Sequence, residues 1–216
     1  EIVNFFVTNN EYISSFQDSI RQVGDLERLI SKVSLLRVNP RELLQVARAL
    51  DQIEIIKELC IKSGNDSLKL YAEQLNVCDS IRQRIKRVLN PDSPALLSKG
   101  NFINDNVDEE LDSLRSLSRS GKDYLTNIQK REVAATGISS LKIGYNNVFG
   151  YYLEVTNLHK DKVPTEWIRK QTLANAERYI TPELKELEDM ILGAEEKLIA
   201  LEYDLFCEIR ERIAGE

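Results

Sequence analysis

The residues best suited to chemistry lie between Ala135 and Thr181, where basic side chains are mixed with neutral hydrogen-bonding ones. The six cations of this segment are Lys142, Lys160, Lys162, Arg169, Lys170 and Arg178, and its four anions are Glu154, Asp161, Glu166 and Glu177. The segment therefore carries a net charge of +2, whereas the whole chain carries −6. This imbalance is typical of a modest phosphate-contacting surface, because cations that face a duplex release its condensed counterions. A merely solvated surface is the alternative interpretation.

Neutral hydrogen-bonding residues also lie close to these cations in the sequence, and the candidates among them are Asn146, Asn147, Gln171, Thr172 and Asn175. Such side chains commonly share phosphate contacts with Arg and Lys, although turn geometry also favours Asn. Aromatic residues of the same segment include Tyr145, Tyr151, Tyr152 and Trp167. They could stack on bases, but we expect them to provide the packing of a small sheet.

The sequence offers little for catalysis or for metal binding. His159 is the single histidine, so neither a multi-histidine metal site nor a Ser-His or Cys-His pair can be assembled. Cys60, Cys78 and Cys207 are far apart and are expected to be reduced thiols. No GxxxxGK(S/T) or GxGxxG loop occurs. We therefore expect no catalytic residue, no metal ligand and no cofactor in this chain.

Charge and hydropathy exclude further classes of protein. The net charge of −6 argues against a dedicated basic nucleic-acid module, so any DNA contact must be local. No run of about 18 apolar residues occurs, and the first residues do not resemble a signal peptide. We therefore expect a protein that is neither secreted nor membrane-spanning. A small-molecule substrate is also not expected. A hydrolase with paired carboxylates is disfavoured, because the acids are scattered along helix faces.

Helical periodicity dominates the chain outside this segment. Apolar spacing predicts helices over residues 2–20, 26–36, 40–59, 68–75 and 77–88. A break follows at Asn90-Pro91-Asp92-Ser93-Pro94, because each proline disfavours helix at the residue before it. Two longer helices, from Val107 through Ile128 and from Pro182 towards Ile213, have steps of three and four residues that suit a paired arm.

Between the two long helices the apolar period changes from helical to alternating. Residues 141–145 and 151–155 read as two strands, joined by a turn at 146–150. A second pair is predicted over 168–173 and 177–180, with Ala174-Asn175-Ala176 at its turn. The predicted fold is therefore mainly α: a helical bundle and a long two-helix arm, with a small antiparallel β unit inserted at the tip of the arm.

Two segments resemble the MutS family of DNA mismatch-repair proteins. Residues 137–156, GISSLKIGYNNVFGYYLEVT, resemble the hairpin of its clamp domain, and residues 167–185, WIRKQTLANAERYITPELK, resemble the stretch that follows it. The segments DLERL at 25–29, NPREL at 39–43 and EELDSLR at 109–115 resemble its lever. This resemblance implies a lever and core domain over 1–124, a clamp over 125–183 and a returning lever helix over 184–216.

The resemblance also implies a function. In that family a dimer encircles duplex DNA, and the clamp contacts the DNA backbone without reading sequence. By position, the contacts fall on Arg169, Lys170, Gln171, Thr172 and Asn175, with Lys142 and Asn147 as further candidates. One position departs from the pattern, because Ala174 stands where some relatives have a basic residue.

The same resemblance implies that the chain itself is not an enzyme. It would couple the clamp to an ATPase domain outside the chain, so ATP and Mg²⁺ belong to the longer protein, and a second MutS subunit and double-stranded DNA are the expected partners. The expected location is the bacterial cytoplasm, in association with the nucleoid. Phe206-Cys207-Glu208 matches the family's mismatch-reading Phe-x-Glu pattern, but it lies within the apolar repeat of the last helix, where we expect Phe206 to pack.

Two alternatives remain open from the sequence. The long helices could present a protein-docking tip, since apolar heptads alone allow a structural module of that kind. Within the family, the chain could be the equivalent part of a MutS paralogue that acts in recombination.

Overall fold

The computed structural model describes residues 2–94 and 96–216, and the chain divides into two compact units. The first unit comprises the residues up to Val107 together with Leu201–Glu216, and the second comprises Asp108–Ala200. The predicted fold class is confirmed: the chain is mainly α-helical and has one small antiparallel sheet. Within the described ranges, no helix combines the length and the apolar character needed to cross a bilayer.

The first unit is a bundle of helices. These are α1 (Ile2–Thr8), α2 (Asn10–Val23), α3 (Leu26–Ser34), α4 (Pro40–Lys62), α5 (Asp66–Gln74) and α6 (Asp79–Val88), followed by a 3₁₀ turn at Leu97–Lys99. The prediction of one helix over residues 2–20 was wrong, because the helix is interrupted at Asn9. The Asn9 side-chain amide donates to the carbonyl of Phe5 at 2.8 Å, a local bond that competes with the helical pattern.

Helix α4 shows how sequence sets a helix start. The side chain of Asn39 accepts a hydrogen bond from the Glu42 amide at 2.9 Å, and the Glu42 carboxylate accepts one from the Asn39 amide at 3.1 Å. With Pro40 in the first turn, this capping box satisfies amides that have no partner inside the helix. Leu43, fully buried three residues further on, begins the apolar face that the bundle covers.

The C-terminal residues complete the first unit. Phe206 is fully buried and makes an edge-to-face contact with Phe102, with 5.9 Å between the ring centroids. The expectation that Phe206 packs is therefore confirmed. An antiparallel bridge between Leu89 and Ile103, on either side of the predicted break, was not anticipated from the sequence.

The second unit holds the long helices and the sheet. Helix α7 (Glu109–Thr136) is followed by strands β1 (Lys142–Asn146) and β2 (Gly150–Thr156), a 3₁₀ segment (Asn157–Lys162), strands β3 (Ile168–Thr172) and β4 (Ala176–Ile180), and helix α8 (Pro182–Ala214). The residues of α8 beyond Ala200 belong to the first unit. Asp108 caps α7 by accepting from the Leu111 amide at 2.8 Å, and Thr181 accepts from the Leu184 amide at 3.2 Å at the start of α8.

Helices α7 and α8 run antiparallel in the second unit and approach closely at Gly121. A Cβ atom placed on Gly121 would lie 2.5 Å from Cγ1 of Ile191, so only glycine fits without a shift. One turn away, Glu195 forms an ion pair with Lys122 at 2.8 Å and accepts from the Ser118 hydroxyl at 3.3 Å. Together these contacts set the register of the two helices.

Two helical glycines of this unit allow a matched test of the close approach. We predict that Gly121→Ala lowers the free energy of unfolding by about 1–3 kcal/mol, because the added methyl group overpacks the contact with Ile191. Gly193→Ala, on α8 with open space around it, should raise that energy by about 0.5–1 kcal/mol through helix propensity. Denaturant unfolding followed by circular dichroism measures both variants. Equal effects of the two substitutions would contradict the assigned contact.

Candidate nucleic-acid interface

The four strands form one antiparallel sheet in the order β1-β2-β4-β3. Its inner face packs on α7 and α8 through an apolar cluster whose buried members are Leu125, Ile128, Ile138, Leu141, Leu153, Val155, Trp167, Tyr179, Leu184, Leu187 and Ile191. Leu153, Ile138 and Leu184 are fully buried there. Burial of one such side chain stabilises the fold by about 1.5–3 kcal/mol. This cluster fixes the sheet on the helix pair and leaves the outer face and the β3 edge free.

Strand β3 is an edge strand, and most of its side chains are exposed. Arg169, Lys170 and Thr172 are exposed, while Gln171 is half-buried. The pairing with β4 is irregular between Arg169 and Gln171, so Lys170 is the extra residue of a β-bulge. A bulge bends its strand and redirects the side chain it carries. The edge therefore presents a cation beside a backbone that pairs with no second strand of this sheet in the described part of the chain.

The cross-strand register divides the predicted contacts between the two faces of the sheet. Residues that are paired directly across antiparallel strands lie on the same face. Arg169 is paired with Tyr179 and Thr172 with Glu177. Arg169 and Thr172 therefore lie on the inner face of the sheet, at its exposed edge. Gln171 is paired with Arg178, and Lys142 with Glu154, on the outer face.

The two asparagines of the predicted site lie at opposite ends of the sheet. Asn147 belongs to the β1–β2 turn, next to the Asn146–Gly150 pair, and Asn175 belongs to the β3–β4 turn, next to the Thr156–Ala176 pair. Along β2 these pairs are six residue steps apart, which corresponds to roughly 20 Å. Asn147 and Asn175 therefore cannot contact the same phosphate, and Lys142 lies nearer to the end with Asn175.

The turn that carries Asn147 is attached to helix α8. The carboxylate of Glu188, a buried residue, accepts a hydrogen bond from the Tyr151 amide at 2.7 Å and is paired with Lys185. Gly150 has φ +82°, and a Cβ at this position would overlap the Glu188 carboxylate. Glycine is thus required here for both conformation and space.

At the opposite end, Asn157 holds the β3–β4 turn. Its backbone amide donates to the carbonyl of Asn175 at 3.1 Å, and its side-chain amide donates to the carbonyl of Ala174 at 3.0 Å. This role of Asn157 could not be predicted from the sequence, because its partners lie 17 and 18 residues away, beyond any local pattern.

Four lysines of the segment from Ala135 to Thr181 are exposed and make no ion pair within the described ranges: Lys142, Lys160, Lys162 and Lys170. The two arginines are compensated instead. Arg169 binds Glu177 at 3.2 Å, and Arg178 binds Glu154 at 2.9 Å. The positive charge that is available to a ligand therefore resides on the lysines, most of them towards the end with Asn175.

Glu177 and Tyr179 form a pair beside Arg169. The hydrogen bond from the Tyr179 hydroxyl, and after it the charge of Arg169, hold the pKa of Glu177 below its usual value. Burial, assisted by the bond to Glu177, raises the pKa of Tyr179 to about 12. The phenol of Tyr179 thus stays protonated at neutral pH and donates its hydrogen bond to the Glu177 carboxylate.

The aromatic side chains serve packing, as predicted from the sequence. Trp167 and Tyr152 are buried, and the rings of Trp167 and Tyr179 lie 6.0 Å apart within the core. Tyr145 and Tyr151 form an edge-to-face pair at 5.1 Å. In the part of the chain that the structure describes, no group of three or more His, Cys, Asp or Glu side chains could hold a metal ion.

The raised pKa of Tyr179 gives a test at alkaline pH. A group whose pKa is higher in the folded chain contributes stability below its ordinary pKa of 10 and loses it as the pH rises through about 12. We predict that the unmodified chain loses up to about 2 kcal/mol of unfolding free energy from this source between these pH values, and that Tyr179→Phe does not. Chemical unfolding at a series of pH values measures this, and an identical pH dependence of the two proteins would contradict the assignment.

Comparison with known proteins identifies the family of this chain. Residues 106–197 match MutS family domain IV. The chain is 55% identical over 99% of its length to the DNA mismatch repair protein MutS of Bacteroides fragilis, and 57% identical over 97% to that of Parabacteroides distasonis. It is 54% identical over 99% to the MutS of Flavobacterium psychrophilum. The chain spans about a quarter of the length of these curated relatives, 25%, 24% and 25% respectively. It therefore belongs to the MutS family and contains that family's domain IV.

Proposed function

We propose that this chain is the lever and clamp of a MutS-type mismatch-repair protein, and that its sheet holds the backbone of double-stranded DNA without reading sequence. Mismatch repair is proposed as the process because its relatives are named DNA mismatch repair proteins. The observation that carries the DNA contact is the exposed edge strand β3, with Lys170 at its bulge. The chain acts as a binding element and has no catalytic role of its own.

The chemistry of the β3 edge suits phosphate groups. Phosphate oxygens accept hydrogen bonds from Lys and Arg, from Thr, Asn and Gln side chains and from backbone amides. Strand β3 offers Lys170, Thr172 and Gln171 along one short edge, and Asn175 follows in the adjoining turn. Lys160 and Lys162, exposed in the 3₁₀ segment, add positive charge near the same end. Contacts of this kind position a protein on DNA but do not distinguish bases.

A charged, bulged edge strand also protects a sheet from pairing with other chains. Protection of the edge would account for Lys170 and for the bulge. It would not require amide and hydroxyl side chains beside them. The concentration of Gln171, Thr172 and Asn175 at the same edge favours a ligand. Arg169 contributes less than its charge suggests, because Glu177 compensates it.

The coupling to an ATPase is part of the same proposal. Helix α8 contributes residues to both units, and its close contact with α7 at Gly121 links the sheet to a stiff helix pair. A displacement of the sheet would therefore be carried along the helices. ATP and Mg²⁺ would be bound elsewhere in the longer protein, and a second MutS subunit would complete the ring around the duplex.

A protein-docking tip is the second candidate, and two exposed apolar residues favour it. Val148 is 90% exposed and Leu158 is 83% exposed, at opposite ends of the sheet. Isolated apolar residues are nevertheless common on protein surfaces, and these two do not form one patch. The DNA-binding proposal therefore has the stronger support.

The experiment is a charge reversal on the β3 edge. Arg169→Glu with Lys170→Glu should raise the Kd for duplex DNA at least about tenfold at low salt and reduce the steepness of its salt dependence by about one, because the contact of Lys170 is lost and both new carboxylates repel phosphate. Fluorescence anisotropy with a labelled duplex measures both quantities.

The matched control reverses two exposed cations of the first unit, Arg21→Glu with Lys62→Glu. Both double variants carry the same net charge, and surface substitutions of this kind usually change stability by less than about 0.5 kcal/mol. Equal affinities of the two folded variants would show that the effect is one of total charge, and would contradict the proposed surface.

A further inference from the structure

Arg178 is the centre of a hydrogen-bonded row across the outer face of the sheet. Its guanidinium lies over the ring of Tyr152, 4.3 Å from the centroid. Its Nε donates to Glu154 at 2.9 Å, and its Nη1 donates to Oε1 of Gln171 at 2.9 Å. The arginine thus connects β2, β4 and the edge strand β3 through one planar group.

The layer beneath the arginine is equally well packed. Tyr152 is buried and lies against the backbone of β1 at Gly144, where a Cβ would fall 2.6 Å from the tyrosine hydroxyl. Phe149 contacts the same ring, with 5.6 Å between centroids. Stacking on a fixed ring and pairing with Glu154 hold the guanidinium in one orientation.

This arrangement determines which end of the Gln171 side chain remains available. An amide side chain has one oxygen that accepts and one NH₂ group that donates. Because Arg178 only donates, it binds the Gln171 oxygen, and the NH₂ group is left for another partner. Phosphate oxygens only accept, so this NH₂ group matches a DNA backbone.

Arg178 itself is poorly placed to bind phosphate. Only 20% of its side chain is exposed, and Glu154 neutralises its charge. Lysine could not replace it in this row, because a single ammonium group lacks the planar fork that donates in two directions while stacking on a ring.

We infer that Arg178 is a positioning residue, which holds the Gln171 side chain so that its NH₂ group faces a phosphate of the bound duplex. The inference rests on the proposed DNA-binding function and adds a residue that does not touch the ligand. Its sequence position, seven residues after Gln171 and on another strand, gives no sign of this role.

The first measurement is made without DNA. The side-chain NH₂ signals of Gln171 in a ¹⁵N-labelled chain, identified by their loss in Gln171→Ala, should be those of a restrained amide, with slowed rotation about the C–N bond. Arg178→Lys, which keeps the charge, should shift them to the values of a free glutamine. Unchanged signals in the folded Arg178→Lys variant would overturn the inference, whether or not the chain binds DNA.

The second measurement is a double-mutant cycle in duplex affinity. Gln171→Ala and Arg178→Lys should each raise Kd about 3- to 10-fold, and the double variant should be no weaker than the worse single one, because both changes remove the same contact. The salt dependence should stay unchanged, since neither substitution removes a cation. Multiplicative losses in the double variant would mean that Arg178 acts independently of Gln171.

A third variant covers the case in which Arg178→Lys does not fold. Gln171→Glu keeps the acceptor for Arg178 but replaces the donor with a carboxylate oxygen, so it should weaken binding more than Gln171→Ala does. Gln17→Glu, exposed on α2, is the matched charge control and should bind as the unmodified chain does. Stronger binding by Gln171→Glu than by Gln171→Ala would overturn the inference, whereas failure of the unmodified chain to bind DNA would count against the proposed function itself.

Discussion

The position of each side chain proposed to meet DNA depends on one apolar cluster, in which the inner face of the sheet packs on helices α7 and α8. Leu153 of β2 and Leu184 of α8 are fully buried in it. A sheet with one apolar face must bury that face against another element, and here the two helices supply the other half of its core. The exposed outer face and edge follow from this arrangement, because the inner face is the one the helices cover.

Much of this fold could be predicted from the sequence, because the period of the apolar residues reports which face is buried. Leu111 to Ile128 and Leu184 to Leu205 repeat at three and four residues, and the helices α7 and α8 include these runs. The change to a period of two identified strands β1 and β2, and the predicted helix starts at Pro40 and Pro182 agree with helices α4 and α8, which Asn39 and Thr181 cap. The break at Asn9 was missed, since it comes from a side-chain bond that apolar spacing does not register.

The geometry of the candidate site was less accessible from the sequence, because it depends on strand order and register. The residue types and the segment were identified, but a linear pattern does not show that β4 lies between β2 and β3. That order places Asn147 and Asn175 at opposite ends of the sheet and brings Arg178 between Glu154 and Gln171. The compensation of Arg169 by Glu177 has the same origin, since the two are brought together by the turn between β3 and β4.

The most direct test of the account is the affinity of this chain for labelled duplexes, perfect and mismatched, across a series of salt concentrations. A surface that holds phosphates through its lysines should bind both duplexes equally and weakly, with log K falling against log salt at a slope of about −3 to −4, as expected for about four cationic contacts. Tighter binding to the mismatched duplex, an affinity insensitive to salt, or no binding even at low salt would contradict the claim that this sheet holds the DNA backbone.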